Sequence, residues 1–364
     1  MDQRPATLPM ALLKDVSRSF YLTLRILPRS IRGQVGLAYL LARTTDTIAD
    51  TQLISVEQRL HALQKLRLRI LGPDAAALQF GQLALHQSSP AERILLEQCD
   101  KTLGLLQNLS PADLQRVRKV LDTITSGQEL DLRRFACASA TSIVALCTEP
   151  ELDDYTYRVA GCVGEFWTRM CRAHLFPGAT LDDSLLLTNS IRFGKGLQMV
   201  NILRDLPLDL RRGRCYLPAE RLSPLGLVAA DLLLPTNEPR LRPLLNAYIC
   251  QAEENLRAGW SYTNALPWTS LRVRLACAWP ILIGLRTLEL LRAQSVLDPA
   301  RRIKISRSEI RRCIWRSVVY YPWPAAWTRL VRNSRSVQSE PESGGAQNPN
   351  RGSLMLQNRT SQPK

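Results

Sequence analysis

Apolar residues recur at helical spacing from Leu12 to Ala49, with Pro28 as a break between two helices. The same spacing returns over 56–71, 91–107, 111–135, 140–148, 153–174, 183–211, 239–264 and 270–295. Local punctuation agrees with these segments. Gly72-Pro73 stops one of them, and Ser110-Pro111 opens another with an N-cap and a proline at the first helical position. No stretch alternates apolar and polar residues long enough to make a regular strand. The pattern predicts an all-α fold, a single large helical bundle formed by residues 1–332. Residues 212–238, with Gly213, Pro218, Pro224 and Pro235, read as a long ordered connector of the kind that often serves function. From about Asn333 the chain becomes rich in Ser, Gln, Asn, Gly and Pro, so 333–364 are expected to form a disordered polar tail.

Composition narrows the classes. With 45% hydrophobic and 22% charged residues among 364, the chain is ordinary for a globular protein and not for a disordered one. The net charge of +16 is uneven: residues 301–364 hold 13 Lys/Arg against 3 Glu. Nine cysteines without a CxxC pair are expected to be buried, reduced thiols in a cytoplasmic protein. Three histidines exclude a His-rich metal site. A signal peptide and a spanning helix are not expected, because no basic stretch precedes an apolar one and no run of 18 apolar residues occurs. A monomer is the expected state.

The chemistry lies in two stripes of carboxylates. In GLAYLLARTTDTIAD, Tyr39, Arg43, Asp46 and Asp50 stand at i, i+4, i+7 and i+11, which returns them to one helix face. In GLQMVNILRDLPLD, Gln198, Asn201, Asp205 and Asp209 stand at i, i+3, i+7 and i+11, with Arg204 beside Asp205 and Arg211, Arg212 and Arg214 following. Pro207 predicts a kink or an end of that helix. A lone DxxxD is usually a solvated face. Two of them, each on an apolar helix with its own arginine, need a cation between like charges. Hard oxygen ligands without histidine suit Mg²⁺, and Mg²⁺ with arginines suits a diphosphate leaving group.

Other candidates admit two readings each. Tyr155 is either a buried tyrosine with a satisfied hydroxyl or a catalytic one. Gln128, Glu129 and Asp131 either border the cavity or lie on a solvated face. Gly161 and Gly164 are expected to permit close helix packing or leave room for a chain, and Gly194-Lys195-Gly196 opens no P-loop. Residues 314–333 (IWRSVVYYPWPAAWTRLVRN) mix Trp, Tyr and Arg, either as an interfacial membrane element or as a terminal helix packed on the core. Nucleic-acid binding is disfavoured, since no recognised module is present.

SRSF (17–20), YLLARTTDTIAD (39–50), YTYRVAGCVGE (155–165) and GLQMVNILRDLPLDLRRGRCYLP (196–218) together resemble the squalene/phytoene synthase family, over about residues 9–300. The resemblance implies a bundle around a central cavity in which two prenyl diphosphates bind, with Mg²⁺ held by Asp46, Asp50, Asp205 and Asp209. It makes Arg18, Arg43 and Arg204 contacts to diphosphate or cofactor phosphate, and Gln198 and Asn201 polar partners at the second motif. Ser17, Phe20 and Tyr39 line the donor pocket in this reading, and Tyr155 matches a tyrosine that assists proton removal when a cyclopropane ring closes. The sequence departs from the family at Ala49 and Leu208, where a further acid often stands.

Within the family, YLxxRxxDT and SRSF look most like squalene synthases. The segment IKISR (303–307) resembles a basic stretch that contacts NADPH phosphate, with Lys304 the best match. The implied reaction joins two farnesyl diphosphates through presqualene diphosphate and reduces the product to squalene with NADPH. The alternatives are phytoene or dehydrosqualene synthesis without reduction, a reaction that stops at presqualene diphosphate, and a catalytically silent relative. No GxGxxG motif is present, so a nicotinamide would bind outside a Rossmann fold.

Overall fold

The computed structural model describes residues 9–17, 20–72, 78, 80–87, 89–298, 300 and 303–332. The predicted tail, 333–364, lies outside them. Helices dominate, as the periodicity predicts. Three short or medium helices, Met10–Ser17, Phe20–Ile26 and Arg29–Asp50, replace the first long apolar segment, and the chain does break at Pro28. Val56–Leu71 starts at a capping box, in which Ser55 Oγ accepts from the Gln58 amide and the Gln58 side chain accepts from the Ser55 amide. Ser110 caps Pro111–Arg134 by accepting from the Asp113 amide at 3.2 Å.

The segment 140–148 is a correction. Instead of a helix it holds a two-residue strand, Val144–Ala145, paired in parallel with Arg214–Cys215 in the register Val144↔Arg214 and Ala145↔Cys215. Its apolar spacing reflects burial against the connector, not a helical face. Gly213 makes the pairing possible. Its φ of +81° and its approach to Ser139, whose backbone N and O would lie 2.4 Å from a Cβ, leave room for no side chain.

Asp183–Arg211 matches the predicted span and continues through Pro207 as one helix, so the proline does not end it. Pro207 cannot donate to the Leu203 carbonyl, but Leu203, Leu206 and Leu210 are each 1% exposed and hold that stretch against the core. Two apolar clusters make up the interior. One gathers Arg29–Asp50, Val56–Leu71, Pro111–Arg134 and Cys162–His174. The other gathers Asp183–Arg211, Glu238–Ala265 and Leu271–Ala293 with the connector, whose Leu217, Leu222, Leu227 and Leu232 are buried. The connector is thus ordered, as expected.

The packed-helix reading of 314–333 holds for part of it. Trp327 in Pro324–Arg332 is buried, stacks on Trp260 at 4.9 Å and donates its indole N–H to Asn264. Buried Arg274 lies over the rings of Trp268, Tyr321 and Trp327 and donates to the carbonyls of Asn264 and Leu266. Trp315, Val318 and Trp323 are exposed instead. Cysteine burial is corrected in the same way: Cys99, Cys162, Cys171, Cys215 and Cys277 are buried free thiols, whereas Cys137, Cys147 and Cys250 are exposed.

Candidate functional site

The first stripe forms on Arg29–Asp50 because Leu37, Ala38, Leu40 and Leu41 are buried and leave Tyr39, Arg43, Asp46 and Asp50 on a face of their own. Asp46 accepts a hydrogen bond from the Gln128 amide and lies 3.9 Å from Arg43. Gln128 is buried on Pro111–Arg134, which excludes the solvated-face reading. Asp46 keeps 47% of its side chain accessible, but in a recess ringed by protein. That desolvation, with Asp50 one turn on, pushes its carboxyl up to about 7 against the pull of Arg43 and Gln128. Arg43 pairs with Glu92 of Pro90–Glu97. Burial works against its charge, yet Asp46 and Glu92 outweigh it and hold the guanidinium above its usual range.

The second stripe repeats the arrangement. Arg204 grips Asp205 with two nitrogens, Nε at 3.0 Å and Nη2 at 2.5 Å. Asn201 donates to Gln198 at 3.4 Å, and Gln198 to the Tyr155 hydroxyl at 3.5 Å. Burial and Asp205 push the Asp209 carboxyl up to about 7, with Arg212 and Arg214 opposing. Each stripe therefore holds a carboxylate pair whose members resist one another's charge.

Arg214 and Asp131 stand between the stripes. Arg214 donates to Asp131 at 3.1 Å, and Tyr216 donates to the same oxygen at 3.1 Å. The charge of Asp50 acts on both Asp131 and Arg214, and the charge of Asp131 acts on Asp209, so the two motifs meet here. Burial pushes the Asp131 carboxyl up to about 6, with Arg214 as the main opposing influence. Tyr155 stacks on Tyr216 at 4.6 Å between centroids. Burial, then Asp131, raises its hydroxyl well above the ordinary tyrosine range. A π-helical turn, Tyr157–Gly161, begins two residues after it and re-aims the helix at this point.

The donors and acceptors left over fit a cation with an anion. Asp131 Oδ1, Gln128 Oε1 and Glu129 Oε1 are buried acceptors without a hydrogen-bond partner among the described residues, and Arg43 Nε and Arg59 Nε are donors in the same condition. Among the described residues no three His, Cys, Asp or Glu side chains form a closed metal cage. Mg²⁺ takes one or two carboxylates and shares the rest of its shell with phosphate and water, so carboxylate pairs flanked by arginines fit it.

Other expected residues fall in different places. Ser17 is buried, its hydroxyl turned back on Leu13, and Tyr39 donates to the Val16 carbonyl at 3.4 Å, which seats Met10–Ser17 against the first stripe. Arg18 lies outside the described residues, and of Phe20 only its place at the start of Phe20–Ile26 is described. Lys304 is exposed between buried Ile303 and Ile305 and joins none of the hydrogen bonds or ion pairs around the carboxylates among the described residues. Arg59, Glu92 and Tyr216 were not singled out by the motifs. Arg214 and Tyr216, two apart in an extended stretch, share a side, which is the signal that could have found the tyrosine. Arg59 and Glu92 meet the site only through tertiary packing.

Comparison with known proteins gives the family. Squalene synthase of Bos taurus is 27% identical over 279 residues, 76% of this chain and 61% of that protein. Presqualene diphosphate synthase of Rhodopseudomonas palustris is 31% identical over 214 residues, 58% of this chain and 62% of that protein. The chain thus spans about three fifths of the length of these relatives. A solved complex of TcSQS with a ligand shares the fold at a TM-score of 0.72 and 23% identity, covering 89% of this chain and 88% of that one. A family model described as squalene/phytoene synthase matches residues 13–309, and the chain belongs to the squalene/phytoene synthase family.

Proposed function

We propose that the chain condenses two farnesyl diphosphates head to head to presqualene diphosphate and, with NADPH, reduces that product to squalene. The observation that carries the condensation is the meeting of two carboxylate pairs at Asp131 and Arg214, next to Tyr155. Asp46, Asp50, Asp205 and Asp209 would hold Mg²⁺, which when bound neutralises charge on the departing diphosphate. Arg43, Arg204 and Arg214 add fixed positive charge around it. Tyr155 keeps its proton at neutral pH, because its hydroxyl is held above the ordinary range. It therefore serves ring closure as a relay, accepting the substrate's proton on its oxygen while passing its own to the departing diphosphate. Gln198 donates to the tyrosine's oxygen and is itself held by Asn201.

A second reading, in which presqualene diphosphate is the released product, is supported by the 31% identity to the presqualene diphosphate synthase of Rhodopseudomonas palustris. Incubation with farnesyl diphosphate and Mg²⁺, with and without NADPH, separates the two. Squalene formed only with NADPH supports the first; presqualene diphosphate under both conditions supports the second. Dehydrosqualene or phytoene formed regardless of NADPH overturns the reductive step. For a reductase, Lys304→Ala should raise the NADPH requirement about tenfold and spare the condensation.

The reading extends to a peripheral membrane contact. Trp315 and Trp323 are 63% and 59% exposed, and arginines at 311, 312, 316 and 329 surround them in sequence. No described helix is long and apolar enough to cross a membrane.

A further inference from the structure

Asp131 joins two groups that belong to different parts of the site. Its Oδ2 accepts from Tyr216 and from Arg214, both at 3.1 Å, and its Oδ1 is buried without a partner among the described residues. All of its grip therefore runs through one atom. Tyr216 lies against Tyr155 with 24° between the rings, so the tyrosine's orientation depends on where the Tyr216 hydroxyl is held. Arg214, 19% accessible, has its direction set by the same oxygen. A shift of Oδ2 moves the stacking partner of Tyr155 and the guanidinium between the motifs together.

We propose that Asp131 is a positioning residue that sets Tyr155 and Arg214 in register with one another. This rests on the reading of Tyr155 as the proton relay and Arg214 as a diphosphate contact. The full chain with Mg²⁺ is assayed for the first condensation with farnesyl diphosphate, and for binding of inorganic pyrophosphate by calorimetry. Asp131→Asn should slow kcat and weaken pyrophosphate binding, each about 10- to 100-fold, and Asp131→Glu should recover part of both. Tyr216→Phe removes the hydroxyl held by Asp131, which also contacts Tyr155 and Arg214, so it should slow kcat by more than it weakens pyrophosphate binding. Adding Tyr155→Phe to Asp131→Asn should cost less than Tyr155→Phe alone, because a misplaced tyrosine has less to lose. Additive losses, or wild-type pyrophosphate binding in Asp131→Asn, would overturn the proposal. Should Asp131→Asn fail to fold, Tyr216→Phe decides, and wild-type turnover in it overturns the link to Tyr155. A wild-type chain that makes no product from farnesyl diphosphate defeats the proposed reaction instead, while the pyrophosphate measurements still test the link to Arg214.

Discussion

Asp46 and Asp209 sit on different helices, and each meets a second carboxylate one turn away in a recess that water solvates poorly. Cations held there would relieve the repulsion within each pair, which is why their substitution is the sharpest test of the proposed metal site. Asp46→Asn or Asp205→Asn should lower turnover about 10²- to 10⁴-fold at saturating Mg²⁺ with an unchanged thermal midpoint. Turnover near wild type in either variant removes these residues from the metal site. Asp113 offers a contrasting carboxylate, one already satisfied by the protein. It is buried and accepts from Arg116 at 2.8 Å, shares a hydrogen bond with His174 at 2.9 Å and accepts from Gln34 at 3.4 Å. Burial opposes its charge, but the bonds from His174 and Gln34, with Arg116, hold its carboxyl below the usual range. A depressed folded-state value means that its stabilisation is present above the unfolded-state value and is lost as pH falls through the folded one. Asp113→Asn should therefore lower stability by about 1–3 kcal/mol at pH 7 and flatten the acid side of the stability curve. An acid limb identical to wild type counts against this account.

Among the elements, the helices were legible and the joints were not. Periodicity locates Arg29–Asp50 and Asp183–Arg211, and with them the carboxylate stripes, because burial on one face leaves its mark every three or four residues. It misplaces 140–148, where two residues of parallel pairing leave a pattern too short to distinguish from a helix turn. Pro207 does not end its helix for a related reason, since the loss of one hydrogen bond is local while the leucines that offset it are buried by elements far along the chain. Arg59 and Glu92 reach the site by such packing too. The glycines speak to the same point. A Cβ at Gly164 would lie 2.0 Å from the Ser190 carbonyl oxygen, so Cys162–His174 packs on Asp183–Arg211 through bare backbone. Gly164→Ala should destabilise the fold by about 1–3 kcal/mol and reduce condensation beyond what stability explains, because it pushes Tyr155 away from the second stripe. Wild-type stability measured by denaturant titration contradicts that close approach.

At the scale of the molecule, the positive charge and the exposed tryptophans lie toward the C-terminal end of the described chain. Trp315→Ser with Trp323→Ser should reduce binding to anionic vesicles several-fold and leave condensation of farnesyl diphosphate in solution unchanged, since neither side chain supports the core. Equal binding by the double variant and the wild type places any membrane contact elsewhere. Whole deletion of 314–333 is the poorer experiment, because Trp327 and Tyr321 belong to the interior.

Trp327 has a further consequence, one of timing. Its hydrogen-bond partner Asn264 precedes it by 63 residues, and the Trp260 ring it covers comes earlier still. At roughly 5–20 residues per second of synthesis, about 3–13 s separate the emergence of that apolar face from the arrival of its cover. Throughout that interval the nascent chain presents Trp260 and its neighbours bare, so the yield of folded protein should depend on translation speed and on chaperones that shield this one surface.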